Sequence, residues 1–174
     1  VFISVGVSKG RDLQAEGVEL DGVVKAADYL LNVNQGYRLN LGRRVVVIGG
    51  GFVAFDAART ALRLGREAPV DLEALASETD ARAKEALDSA RAALRGGATE
   101  VTIVSLERFD EMPVLRTTQG HEEFEETRKE GVRFLPRRGP RRFLGDGHLT
   151  GLELRGVKSV FDERGRFAPE YDDT

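Results

Sequence analysis

The chain has 174 residues, 41% of them apolar and 32% charged, with a formal net charge of −3. That length supports one domain with a real core, and the near-balanced charge gives no general pull toward nucleic acid or acidic lipid. Cysteine is absent, which excludes disulfides, thiol nucleophiles and iron–sulfur ligation by this chain, and no apolar run approaches the roughly 20 residues of a membrane helix.

In chain order, Val1–Val5 reads as a strand, apolar except for Ser4, followed by a Gly- and charge-rich loop over residues 6–20. Asp21 is a candidate cap for a helix from Gly22 to Asn34, with Val23, Val24, Ala27, Leu30 and Leu31 on one face. A linker, Gly36–Gly42, leads to a strand over Arg44–Ile48 and a helix over Phe52–Leu64, with Gly65 as its stop. Residues 66–97 stand where a compact βαβ unit would already have begun its next strand. Glu78–Arg95 reads as a helix, with Ala83, Leu87, Ala90 and Leu94 at helical spacing, so residues 66–97 are expected to form a helical insertion.

Glu100–Ser105 is the second strand of the unit, Leu106–Gln119 a loop containing Met112-Pro113, Glu122–Glu130 a charged helix stopped by Gly131, and Val132–Leu135 a third strand. Residues 141–167 alternate as a short antiparallel meander, with turn signals at Gly145-Asp146-Gly147 and Glu163-Arg164-Gly165. The expected fold is α/β, a Rossmann-like three-layer domain with a central parallel sheet, flanking helices and a small antiparallel meander. The chain opens inside an apparent core strand and stops without a closing element. Residues 1–174 are therefore expected to be a single domain cut from a longer polypeptide.

The most informative segment is RRVVVIGGGFVAFDAAR, residues 43–59. Gly49-x-Gly51-x-x-Ala54, after a buried-type strand and at the start of a helix, is the dinucleotide fingerprint in its Ala-ended form. Gly49 permits the tight turn, and Gly51 has no Cβ to keep a pyrophosphate from the backbone. Ala54 is small enough for helix and strand to pack closely. The free N–H groups at the helix start and the helix dipole then favour negative charge at this point.

With these residues placed, the chain resembles the flavoprotein family that includes the glutamate synthase small subunit, dihydropyrimidine dehydrogenase and, more distantly, adrenodoxin reductase. The resemblance rests on VFISVG, SKGR, DGVVKAADYL and VVVIGGGFVAFDAARTALRLG. After the insertion it continues through GATEVTIV, EMP, KEGVRFLP, GHLTGLEL and DERGRFAPE. It implies an NAD(P)H-binding domain set within an FAD domain of the same polypeptide. NAD(P)H would reduce FAD, and electrons would pass to an iron–sulfur partner. The flavin's own glycine fingerprint would lie before residue 1.

Two departures bear on the coenzyme. Phe52 stands where the family has Asp or Asn, and Ser105-Leu106-Glu107 stands where it has tyrosine and two arginines that hold the 2′-phosphate of NADPH. A carboxylate at Glu107 suits the ribose diol of NAD and repels a 2′-phosphate; each such hydrogen bond is worth about 1.5–3 kcal/mol. Arg108 is placed to turn back toward a phosphate. NAD is therefore expected over NADP. Asp56 and Arg59, at i and i+3, read as a local ion pair. His121 and Glu125 lie one helical turn apart without a third ligand, so no metal site is expected. Arg137, Arg138, Arg141 and Arg142 read as a solvated loop between strands, with docking of an acidic electron-transfer partner as the rival. No serine lies in a nucleophile elbow.

Together these readings predict the NAD(P)H-binding domain of a cytoplasmic FAD-dependent oxidoreductase. Its cofactor-binding residues are Gly49, Gly50, Gly51, Phe52, Val53, Ala54, Glu107 and Arg108, with no acid–base residue and no turnover by the isolated chain. The alternative is a degenerate nucleotide fold that serves as a docking or structural module.

Overall fold

The computed structural model describes residues 13–37, 39–66 and 98–172. The strand read over Val1–Val5, the helix read over Glu78–Arg95 and nearly all of the 66–97 insertion lie outside the described residues.

A βαβαβ unit forms the centre. β1 (Arg44–Ile48) leads into α2 (Phe52–Arg66), β2 (Glu100–Val104) into α3 (Thr118–Lys129), and β3 (Arg133–Leu135) completes a parallel sheet in the order β1-β2-β3. Val47, Ile103 and Phe134 stand side by side across the three strands. Val47, Val101 and Ile103 join the small face of α2, namely Ala54, Ala57, Ala58 and Ala61, in one buried cluster. Four alanines on one face let the helix axis lie close to the sheet, which large side chains would prevent. α1 (Ala26–Asn34) packs against α2 and buries Tyr29. The predicted α/β architecture with its parallel sheet is the observed one.

Several boundaries differ for identifiable reasons. Asp21 does not cap α1. Its N–H donates to the Gly147 carbonyl (3.1 Å), its own carbonyl accepts from Leu149 (2.8 Å), and its carboxylate lies 3.0 Å from His148 Nδ1. Gly22, at φ +97°, cannot continue a helix, so α1 starts four residues later than predicted. Gly65 does not stop α2, which runs on to Arg66. A Cβ at Gly65 would stand 2.1 Å from the Ala98 carbonyl oxygen, so glycine is required there by close approach. α3 starts at Thr118, four residues before the predicted Glu122, because the Thr117 hydroxyl accepts the Gly120 N–H at 3.0 Å. The segment 106–119 is no plain loop. Two 3₁₀ turns, Phe109–Glu111 and Pro113–Arg116, bury Met112 and Val114 completely.

The predicted meander is present and larger than 141–167. β4 (Arg138–Asp146), β5 (His148–Phe161) and β6 (Phe167–Tyr171) form a second, antiparallel sheet. Its turns use Gly147 and Gly165, both at φ +72°. Arg138, Arg141 and Arg142 therefore sit in a strand, and Arg141 and Arg142 both pair with Glu153 at 3.0 Å, which corrects their reading as a solvated loop. Residues 16–21 run along this sheet, bridged to Arg142 and His148.

The local Asp56–Arg59 pair is also corrected. Arg59 reaches α3 instead, where it pairs with Glu123, Glu126 (2.8 Å) and Glu130 (3.0 Å). Arg63 joins it on Glu130 at 2.6 Å, and Arg66 donates to the Glu130 carbonyl at 2.5 Å. Next to this ionic seam, Phe55, Phe124 and Phe134 stack in mutual contact, with centroids 4.9–6.2 Å apart. Partial burial alone would raise the Glu130 carboxyl, but hydrogen bonds from Arg63 and Arg59 outweigh it and hold the group below the ordinary range. A carboxyl depressed in the folded state stabilises fully above its unfolded pKa of about 4.3, and that contribution fades as pH falls through the folded value. Glu130→Gln should accordingly cost about 1–3 kcal/mol at pH 7. In urea titrations the gap to the wild type should narrow as pH drops below about 4.

Candidate functional site

The site forms where β1 hands over to α2. Gly49, at φ +136°, turns the chain and donates its N–H to the Val104 carbonyl at 2.8 Å. A Cβ at Gly49 would stand 3.5 Å from the Ala54 Cβ, so the small Ala54 permits the tight approach of helix to strand that its sequence position suggested. Nothing lies within 4 Å of the position a Gly51 Cβ would take, so the space in front of this residue is open. The peptide N–H groups of Gly51, Phe52 and Val53 have no hydrogen-bond partner among the described residues, whereas Ala54 and Phe55 donate back to the Gly51 carbonyl. Three unpaired donors at the positive end of a 15-residue helix can donate hydrogen bonds to an anionic group at this corner. Phe52 and Val53 are both exposed at that end.

Gly50 plays a different part from its neighbours. It is buried, its carbonyl accepts from Val114 N–H at 3.2 Å, and a Cβ on it would meet Ser105 Oγ at 2.8 Å, Met112 Cγ at 3.2 Å and Glu107 Oε2 at 3.3 Å. The end of β2 thus closes directly onto the glycine corner, and Glu107 lies at its edge. The Ser105 hydroxyl donates to Glu107 Oε2, and the Glu107 N–H donates to Ser105 Oγ at 3.2 Å.

Of the residues singled out in the sequence, Gly49–Ala54 and Glu107 come together. Arg108 is engaged elsewhere. It pairs with Asp110 and Glu111, each at 3.3 Å, and its N–H donates to the Glu111 carboxylate at 3.0 Å. Among the described residues no group of three His, Asp or Glu side chains converges on a metal-sized space, and His121 is exposed on α3.

Three contributors escaped the sequence reading. Ser105 is 1% exposed and Met112 fully buried under the glycines. Arg137 takes a left-handed conformation, at φ +57°, just before β4. Its N–H donates to the Glu107 carbonyl (3.3 Å), its guanidinium to the Lys158 carbonyl (2.9 Å), and Arg138 N–H donates to the Ser105 carbonyl (3.0 Å). The meander therefore clasps the end of β2. A serine two residues before an acidic side chain at a strand end is the one local signal for this arrangement.

The sequence profile of the pyridine nucleotide-disulphide oxidoreductase family matches residues 1–166. The putative oxidoreductase YgfK of Escherichia coli strain K12 is 31% identical over 169 residues, which is 97% of this chain and 13% of that protein. The glutamate synthase (NADPH) small chain of Halomonas elongata is 32% identical over 181 residues, 98% of this chain and 30% of that protein. Among solved structures, Mycobacterium tuberculosis FprA in complex with NADPH aligns with a TM-score of 0.61 at 22% identity, over 98% of this chain and 46% of that one. The last likeness is one of fold. The chain spans less than half the length of each of these proteins.

The two neighbouring glycines should respond oppositely to alanine. Gly50→Ala forces a methyl into Ser105 and Met112 and should cost about 1–3 kcal/mol. Gly51→Ala enters open space and should stay within about 1 kcal/mol of wild type in thermal denaturation.

Proposed function

The chain belongs to the pyridine nucleotide-disulphide oxidoreductase family, and on that basis we propose that residues 1–174 are the single nicotinamide-coenzyme-binding domain of a flavoprotein oxidoreductase. One observation carries the reading: three unpaired amides at the head of α2 face open space at Gly51, with a carboxylate at the edge of the same corner. The residues fit a dinucleotide, because a diphosphate can approach there only if Gly51 lacks a side chain.

The proposed roles follow from the geometry. Gly49 and Ala54 set the close strand–helix approach, and the amides of Gly51, Phe52 and Val53 anchor the diphosphate. Glu107 accepts hydrogen bonds from the adenosine ribose diol, which makes NAD the preferred coenzyme even though the glutamate synthase relative carries NADPH in its name. Arg108, tied to Asp110 and Glu111, is positioned at the adenosine end and does not hold a phosphate in this arrangement. Bound reduced coenzyme supplies a hydride to a flavin held by the FAD domain of the same polypeptide, from which electrons pass to an iron–sulfur partner. This chain's residues hold and orient; none acts as acid or base. A cytoplasmic setting completes the proposal. No helix among the described residues is long and apolar enough to cross a membrane.

Isothermal titration tests both halves of the reading. NADH should bind about tenfold more tightly than NADPH, and Glu107→Arg should reverse the order. Gly51→Ala should weaken both coenzymes together. If neither binds at millimolar concentration, the coenzyme reading falls and a docking module takes its place.

A further inference from the structure

We propose that Ser105 is a positioning residue that sets coenzyme preference by holding the Glu107 carboxylate toward a ribose diol; this rests on the reading of Glu107 given above. Ser105 is a polar residue at the carboxyl end of β2 with 1% of its surface exposed. Its backbone is fixed on both sides, since its N–H donates to the Leu135 carbonyl at 3.1 Å and its carbonyl accepts from Arg138 N–H at 3.0 Å. The side chain has only the rotation about its own bonds, and both hydrogen-bonding capacities of its oxygen go to a single neighbour. The hydroxyl proton is donated to Glu107 Oε2, and the oxygen accepts the Glu107 N–H at 3.2 Å. Two reciprocal bonds thus close a ring between residues 105 and 107.

The ring has a chemical consequence. With its proton committed to Oε2, Ser105 has no donor left for a phosphate monoester. Oε1 and the remaining lone pairs of Oε2 stay free to accept from two vicinal hydroxyls. Glutamate has three side-chain torsions, and a carboxylate tethered before binding does not have to be ordered by the ligand. The Glu107 backbone is held as well, since its carbonyl accepts the Arg137 N–H at 3.3 Å. Gly50 makes the arrangement possible, since any Cβ there would displace both Ser105 Oγ and Glu107 Oε2.

The test is a double-mutant cycle read by isothermal titration of NADH and NADPH into wild type, Ser105→Ala, Glu107→Ala and the double variant. Ser105→Ala should weaken NADH about tenfold and leave NADPH within about twofold; in the Glu107→Ala background it should have no further effect on the NADH-to-NADPH ratio. Equal weakening of both coenzymes by Ser105→Ala would reduce the serine to a structural role and overturn the proposal. A ratio that shifts in Glu107→Ala and not in Ser105→Ala would overturn it while leaving Glu107 as the ribose reader. A ratio unmoved by Glu107→Ala would remove the underlying reading and this proposal with it. Ser105→Cys, small but a poor donor, supplies the same comparison where alanine disturbs the strand end.

Discussion

Everything at this site depends on Gly50 having no side chain. Because the space above its Cα is empty, Ser105, Met112 and the Glu107 carboxylate can all settle within 2.8–3.3 Å of where a Cβ would be. Val114 can then bond to its carbonyl, which ties the two 3₁₀ turns to the glycine corner. The same segment also rests on α3, where the Val114 carbonyl comes close against Gly120, so Met112 and Val114 are buried between the glycine corner and that helix. Gly49 and Gly51 serve other ends, one a backbone angle and the other open space. Three consecutive glycines thus answer three different physical demands.

A second constraint holds the layers around that corner. α2 and α3 both cross between parallel strands, so they run parallel to each other, and the phenylalanine stack lies between them and the sheet. Their outer seam is ionic, with Arg59 collecting three carboxylates spaced along α3 and Glu130 collecting two guanidinium groups. Arg59 keeps only 13% of its side chain exposed. The pairing is therefore less screened than a typical surface ion pair. The seam fixes α3 behind the sheet, and α3 in turn presents Phe124 to the ring cluster. A helix that reads as merely charged is in this way a structural member of the domain.

Much of the architecture could be read directly from residue patterns. The apolar run Val45–Ile48, the glycines and the alanine-rich helix made the first βαβ unit legible, although only Val47 of that run is buried and Val46 is exposed; the Gly147 and Gly165 turns made the meander legible. What failed had a common cause. Asp21, Arg59 and Arg141 each offered a plausible local partner or solvent, and each found a partner distant in the chain: the 147–149 turn, α3, and Glu153 across a strand pair. Gly65 looked like a helix stop, and it is instead a site where another backbone comes too close for a Cβ, as is Gly120 within α3. In the candidate site, Gly49–Ala54 and Glu107 were legible because motif and strand end are local features. Ser105 was not, because its importance comes from the burial created when β2 meets the glycine corner. The left-handed Arg137 likewise has no signature in composition.

The close approach at Gly65 has one further consequence. Its Cα comes so near the Ala98 carbonyl that two points of the chain separated by more than thirty residues lie side by side. Two closely spaced anchor points impose almost no geometric demand on whatever joins them, and the entropic penalty of a longer connection grows only logarithmically. The spacing of the two points therefore sets little limit on the length of chain that can join them.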